Sequence, residues 1–176
     1  GKNRNKSDIF RVGMVSRIND FRDHDTLLAA FSKLKVENIA LHIAGDGPLK
    51  EKLETKYSAE NIHWHGNLNQ SEISDFLSGL DIYVHAIKGE TSSVALMQAM
   101  ASALQRIDSD VIGIKNIIGN GNGILVAVQN ENAMIEALEE LIHDKTKRTT
   151  LEQASLSYAK SNFDHIKMFK QYDALL

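Results

Sequence analysis

The sequence predicts an α/β fold: a Rossmann-like, doubly wound parallel sheet of about six strands, with helices on both faces and further helices at the C-terminus. Three observations carry this. Strand and helix signals alternate along the chain. The strand segments are near-continuous apolar runs, as in Ile82-Tyr83-Val84, which suits a sheet covered on both faces. Clusters of Gly, Asn, Asp and Ser punctuate the two kinds of segment with turn chemistry.

The elements follow in order. Phe10–Val15 reads as the first strand, and residues 25–34 as a helix with Leu27, Leu28, Phe31 and Leu34 at helical spacing. Ile39–Ala44 is the second strand, closed by Gly45-Asp46-Gly47-Pro48. Pro48 suits the first turn of the next helix, which carries Leu49 and Leu53. Ile62-His63-Trp64 is a short third strand, and residues 71–80 form a helix with Ile73, Phe76, Leu77 and Leu80 on one side. Ile82-Tyr83-Val84 is the fourth strand and residues 93–104 the next helix. A weaker strand lies near Ile107, followed by a turn around Gly113 and a loop over residues 119–123. Residues 124–128 return to strand, and helices over 132–143, 146–160 and 164–176 complete the chain. In such sheets ligands bind beyond the carboxyl ends of the strands. The turns at 16–23, 45–48, 66–69 and 85–93 should therefore share one edge.

Composition narrows the function classes. The 176 residues suffice for one domain with a full core, and 43% apolar with 24% charged residues is ordinary for a globular protein. A net charge of -3 recommends no nucleic-acid partner. With no cysteine, disulfides and thiolate metal sites are excluded. No apolar run approaches the ~18 residues of a membrane span, and no secretory signal is visible. Residues 1–7, polar and basic, read as a linker or the cut edge of a longer protein, with residues 8–176 as the domain.

The richest stretch for chemistry runs from Asp81 to Ile118. Glu90 precedes a helix start and Gln98 lies inside that helix. Ser92 or Ser93 suits the N-cap, and the backbone N–H groups that follow favour an anion. Helix side chains lean toward the N-terminus, so Gln98 can reach back to the mouth. Arg17 and Arg22 sit after the first strand, where guanidinium groups could match phosphate oxygens or simply be solvated beside Asp20, Asp23 or Asp25. Gly45 and Gly47 allow close backbone approach to a ligand, although an ordinary strand-to-helix turn uses the same residues. His63 and His65 are too few for a metal site without carboxylates and suit packed or surface roles. His85 ends a buried strand, with a sugar contact and a structural role both open.

Taken in order, these segments resemble the C-terminal, donor-binding half of retaining GT-B glycosyltransferases of glycosyltransferase family four (group 1). Val12 to Arg17 looks like that family's first strand ending in Gly-Arg, and Arg22 to Phe31 like its Lys-Gly/Asn-His-x-x-Leu-Leu-x-Ala-Phe segment. Leu41 to Pro48 is similar to its Gly-x-Gly-Pro turn, Asp81 to Val84 to its Ala-Asp strand start, and Glu90 to Gln98 to its Glu-x7-Glu motif. Departures are Gln98 at the second carboxylate, Thr91-Ser92-Ser93 for Gly-Phe-Gly, Ala103-Leu104-Gln105-Arg106 for Gly-Leu-Pro-Val, and Ile114-Lys115-Asn116 for Ile-Pro-Glu.

The resemblance implies roles by position. Arg17 and Arg22 would grip a diphosphate, with help from the backbone of Ser93 and Val94. Gln98 would face the ribose, and Glu90 would lie beside the donor sugar as the catalytic-position residue. Trp64, His65 and Asn67, within the 64–68 segment, would border the base largely through backbone. The expected donor is a UDP- or GDP-sugar, with no tightly bound cofactor and no metal. The expected partners are the missing N-terminal domain of the same enzyme and a glycan or lipid-linked acceptor, as in bacterial surface polysaccharide or glycolipid synthesis. The isolated domain is expected not to transfer sugar. The expected location is the cytoplasm, with the full-length protein peripheral at the inner membrane. A degenerate, non-catalytic nucleotide-binding module and half of a sugar-nucleotide epimerase are the alternatives.

Overall fold

A computed structural model describes residues 9–89, 94–118 and 121–161. Six parallel strands form one sheet in the order β3-β2-β1-β4-β5-β6. The strands are β1 (Phe10–Val15), β2 (Ile39–Ala44), β3 (Ile62–Gly66), β4 (Ile82–His85), β5 (Gln105–Ser109) and β6 (Ile124–Val126). The helices between and after them are α1 (His24–Lys33), α2 (Lys50–Lys56), α3 (Gln70–Gly79), α4 (Val94–Ala101), α5 (Ile112–Ile118), α6 (Glu131–His143) and α7 (Lys145–Ser161). The chain thus winds outward from β1 to β3, returns to β4 beside β1, and continues to β6. The order reverses between β1 and β4, the switch point at which doubly wound sheets bind ligands.

Alternation along each strand sends side chains to two buried faces. Val12 and Met14 of β1, Leu41 and Ile43 of β2, and Ile82 and Val84 of β4 join Leu27, Leu28 and Phe31 of α1 and Leu138 and Leu141 of α6 in one core. Val15, Ala44 and Tyr83 face the other way, against Leu77 of α3 and Leu96 and Met100 of α4. On that second face Gly13 makes room for Leu80, whose Cδ atoms would lie 2.6 Å from a Cβ at position 13. At the opposite edge from the strand-end turns, Asp81 ties β4 to β1: its carboxylate accepts from Arg11 N at 2.8 Å.

Sequence and structure differ at several boundaries. Asn69, not Ser71, opens α3: its side chain accepts from Ser71 N and Glu72 N while Glu72 caps Asn69 N, a reciprocal capping box. Pro48 stands in the turn ahead of α2 rather than within its first turn. The fourth helix ends at Ala101 instead of continuing to Leu104. Leu104 N donates to Ala99 O and Ala103 N to Met100 O, closing a Schellman motif with Ala103 at φ 53. The expected turn around Gly113 is instead α5, because burial of Ile114 in the second core outweighs the helix cost of one glycine, about 1 kcal/mol. β6 stops at Val126. The expected helix over 164–176 lies outside the described residues.

Candidate functional site

The carboxyl edge of the sheet is built by zipping successive turns together. Beyond β1 and β2 the pairing continues: Ser16 N donates to Ala44 O at 3.0 Å, Ile18 N to Asp46 O at 2.9 Å and Leu49 N to Ile18 O at 3.2 Å. Gly45 N then reaches Gly66 O at 2.7 Å, binding the turn after β2 to the end of β3. This closeness explains both glycines. A Cβ at Gly45 would sit 1.9 Å from Ser16 O, and one at Gly47 would sit 2.2 Å from Ile18 O. The backbone that crowds their Cβ positions is therefore the chain's own, which is the strand-to-helix-turn role that the sequence left open beside a ligand approach. Gly45, at φ +130, also has a conformation that side chains rarely adopt.

These turns surround a cleft of about 770 Å³, lined by Ser16, Arg17, Arg22, the Gly45–Pro48 turn, Asn67 and Leu68, with Ile73 of α3 on its wall. Arg17 is exposed on the rim. Arg22 is held deeper by the segment after β4: it bridges to Ile87, while Asp23 N donates to Ala86 O and Lys88 N to Phe21 O. Its guanidinium is half-buried, and burial lowers its pKa from the ordinary arginine value, with Tyr83 opposing. Arg22 Nη1 is buried with no hydrogen-bond partner among the described residues. An arginine donor withdrawn from water and left unpaired is costly, and an anion in the cleft would offset that cost.

Behind the cleft, Asp23 locks α1 in place: Oδ1 accepts from Thr26 Oγ1 at 2.8 Å and Oδ2 from Gln129 N at 2.8 Å. His24, the first residue of α1, is 1% exposed, and its Nε2 is hydrogen-bonded to Ser16 Oγ at 3.1 Å. Burial, then the nearby Arg22 and Lys88 charges, push His24 down to about 4, so its imidazole is neutral at pH 7. Ser16 and His24 escape a sequence reading. Eight positions separate them, and only the path of the intervening loop brings them together.

The remaining predicted positions divide. Asn67 joins Arg17, Arg22, Gly45 and Gly47 at the cleft, whereas Trp64, His65 and Gln98 are absent from its lining. Trp64 packs against the first core. His65 Nε2 lies 2.9 Å from His42 Nδ1, and the His42 ring stacks on His63 at 4.8 Å. Burial and the two neighbouring imidazoles push His42 down to about 4. Among the described residues no group of three or more His, Cys, Asp or Glu has the arrangement to hold a metal ion. Val94 opens α4 and Gln98 lies one turn further along it. His85 is fully buried at the end of β4, beside Tyr83. Glu90, Ser92 and Ser93 lie outside the described residues.

Fold and cleft together define a Rossmann-like α/β domain with a cleft beyond the carboxyl ends of β1, β2 and β3. A family model described as Glycosyl transferases group 1 matches residues 9–144, and the chain belongs to that family. It is 28% identical over 145 residues to the sulfoquinovosyl transferase SQD2 of Arabidopsis thaliana, covering 80% of this chain and 28% of that protein. The fold matches the C-terminal domain of a glycosyl transferase group 1 family protein (LpcC) from Francisella tularensis with TM-score 0.79 at 23% identity, covering 88% of this chain and 86% of that one. It also matches Anabaena HepE, solved in complex with UDP-glucose, with TM-score 0.80 at 17% identity, covering 96% of this chain and 49% of that one. The chain spans less than half the length of the curated relatives it matches, 28% of SQD2 for example. No helix among the described residues is long and apolar enough to cross a membrane.

Proposed function

We propose that this chain is the nucleotide-sugar-binding, C-terminal domain of a retaining glycosyltransferase acting in bacterial surface polysaccharide or glycolipid synthesis. The observation that carries the reading is Arg22, which lines the cleft at the carboxyl edge of the sheet with its buried Nη1 unpaired among the described residues. Arg22 and Arg17 take the diphosphate, and the neighbouring backbone of Gly66 to Leu68 takes the base. Gln98 meets the ribose through its amide, a weaker acceptor than a carboxylate. Glu90 positions the donor sugar, and Ser92, Ser93 and Val94 bring backbone N–H groups to the phosphates. The binding of UDP-glucose by HepE favours a UDP-sugar, with a GDP-sugar as the competing donor. A second domain supplies the acceptor contacts for a glycan or lipid-linked acceptor, so the chain by itself transfers no sugar. The whole enzyme works in the cytoplasm, against the inner face of the membrane.

Calorimetric titration with UDP and GDP tests the binding claim. One of them should bind, and Arg22→Ala should weaken it by about 10-fold or more, the loss of a charge-assisted pair. Failure of both nucleotides to bind would sink the reading. In the full-length protein, the anomeric configuration of the product, read by NMR, tests retention.

A further inference from the structure

The pairing of Ser16 with His24 gives the cleft a hydrogen-bond donor that neither residue would supply alone. Ser16 lines the cleft, and its Oγ is hydrogen-bonded to His24 Nε2 at 3.1 Å. The other ring nitrogen, Nδ1, is buried without a hydrogen-bond partner among the described residues. That asymmetry selects the tautomer. A buried N–H left without an acceptor is rarer in folded proteins than a buried lone pair left without a donor. The proton therefore belongs on Nε2, which donates to Ser16 Oγ, and Nδ1 keeps its bare lone pair. With its oxygen engaged as acceptor, the Ser16 hydroxyl has its own proton left to give. The open side of Ser16 is the cleft, where Arg17 and Arg22 already present donors.

We propose that Ser16 donates a hydrogen bond to a phosphate oxygen of the nucleotide diphosphate, and that His24 is a positioning residue that fixes the Ser16 hydroxyl in the donor sense. This rests on the nucleotide-sugar reading above and adds a determinant to it. The arrangement argues against a nucleophilic serine. A base must draw the proton from Oγ, yet His24 is pushed down to about 4 by burial and by the Arg22 and Lys88 charges. No carboxylate hydrogen-bonds to Nδ1 among the described residues to raise its basicity. A buried imidazole under the influence of two nearby cationic charges is suited to hold a hydroxyl, not to ionise it.

Titration calorimetry of the 176-residue chain at pH 7.5, with UDP and with GDP, tests the assignment. Ser16→Ala should weaken diphosphate binding by about tenfold, the typical worth of a hydrogen bond to a charged group. His24→Leu should weaken it comparably, and His24→Gln, which keeps a neutral N–H donor, should stay within about threefold of the unsubstituted chain. Urea unfolding of each variant separates loss of donor from loss of fold. If the unsubstituted chain binds a nucleotide and Ser16→Ala binds it equally well, the Ser16 assignment falls while the parent reading stands. Binding by His24→Leu at full affinity removes the positioning role. If neither nucleotide binds the unsubstituted chain, both readings fall together. Time-dependent cleavage of a UDP-sugar that Ser16→Ala abolishes would make Ser16 a nucleophile and overturn the donor assignment.

Discussion

Two arginines, one on each side of the switch point, meet opposite fates. Arg22, beside β1, is half-buried, and its Nη1 has no hydrogen-bond partner among the described residues. Arg106, in the middle of β5, is completely buried, with its Nε 3.5 Å from Asp108 Oδ2 and its Nη2 donating to Asn122 Oδ1 at 3.1 Å. Asn122 is anchored in turn by Ser155 Oγ, which donates to its carbonyl at 3.0 Å. One half of the sheet therefore keeps its charge available at the carboxyl edge. The other encloses a charged network inside a core face that otherwise holds Tyr83, Leu96 and Met100. The lesson is that the number of arginines at a strand end says little about ligand binding. Each keeps a buried Nη1 without a hydrogen-bond partner among the described residues, so the difference lies in the charge nearby: Arg106 has Asp108 within reach, and no described carboxylate pairs with Arg22.

The sharpest way to break this comparison is to remove each guanidinium. Arg106→Met leaves Asp108 and Asn122 buried without their main partner and should cost about 3–5 kcal/mol in urea unfolding. Replacing Arg106 and Asp108 together by apolar residues should recover most of that loss, because the pair's desolvation penalty disappears with it. Arg22→Met removes a donor that is buried and unpaired among the described residues, so it should leave stability unchanged or raise it by about 1 kcal/mol. Equal losses at the two sites would dissolve the distinction.

Acidification separates the halves with opposite signs. His24 stays neutral in the fold down to about 4, while the unfolded chain takes its proton near 6.5, so stability falls as pH drops from 6.5 to 4. Asp108 behaves oppositely. Burial raises its carboxyl to about 6 against the pull of Arg106, so the fold holds a proton that the unfolded chain releases near 3.8. Stability from that group rises as pH drops from 6 to 3.8. Each contribution amounts to about 3 kcal/mol across its window, and they largely oppose one another. Half-exposed His42 adds a smaller, solvent-screened contribution with the sign of His24. Urea midpoints from pH 7 to pH 4 should therefore fall more steeply in Asp108→Asn and less steeply in His24→Gln than in the unsubstituted chain.

Smaller effects probe the backbone of each half. Gly45→Ala drives a Cβ onto Ser16 O and should cost about 2 kcal/mol, opening the zipped turns on the cleft side. On the other side, Ala103 occupies the left-handed position of a Schellman motif where glycine is usual. Ala103→Gly should raise stability by about 1 kcal/mol, measured as a higher urea midpoint. No gain there would mean that tertiary packing has already absorbed the strain.

Much of this was legible in the chain itself. Short apolar runs bounded by turn residues located β1 and β2 to the residue, and their alternation with period-3.6 segments predicted about six strands, because those patterns follow from local geometry. The ordered motifs from Val12 to Gln98 led to the family whose model matches residues 9–144. Short or weakly periodic segments were less legible. α5 has seven residues around a glycine, and its helicity depends on Ile114 finding a buried place.

By itself, then, the sequence determined the alternation of elements, the parallel sheet and the cluster of turns at one edge. Tertiary structure alone decided what those turn residues touch. It set Gly45 and Gly47 against the chain's own carbonyls, placed Ser16 on His24, packed Trp64 against the core and His65 beside His42, and gave Arg106 an internal anion while Arg22 has none among the described residues. The physical reason is one of range. Periodicity is fixed by neighbours a few residues apart, whereas pairing and burial of a polar group depend on strand register and loop path, which exist only once the sheet has assembled.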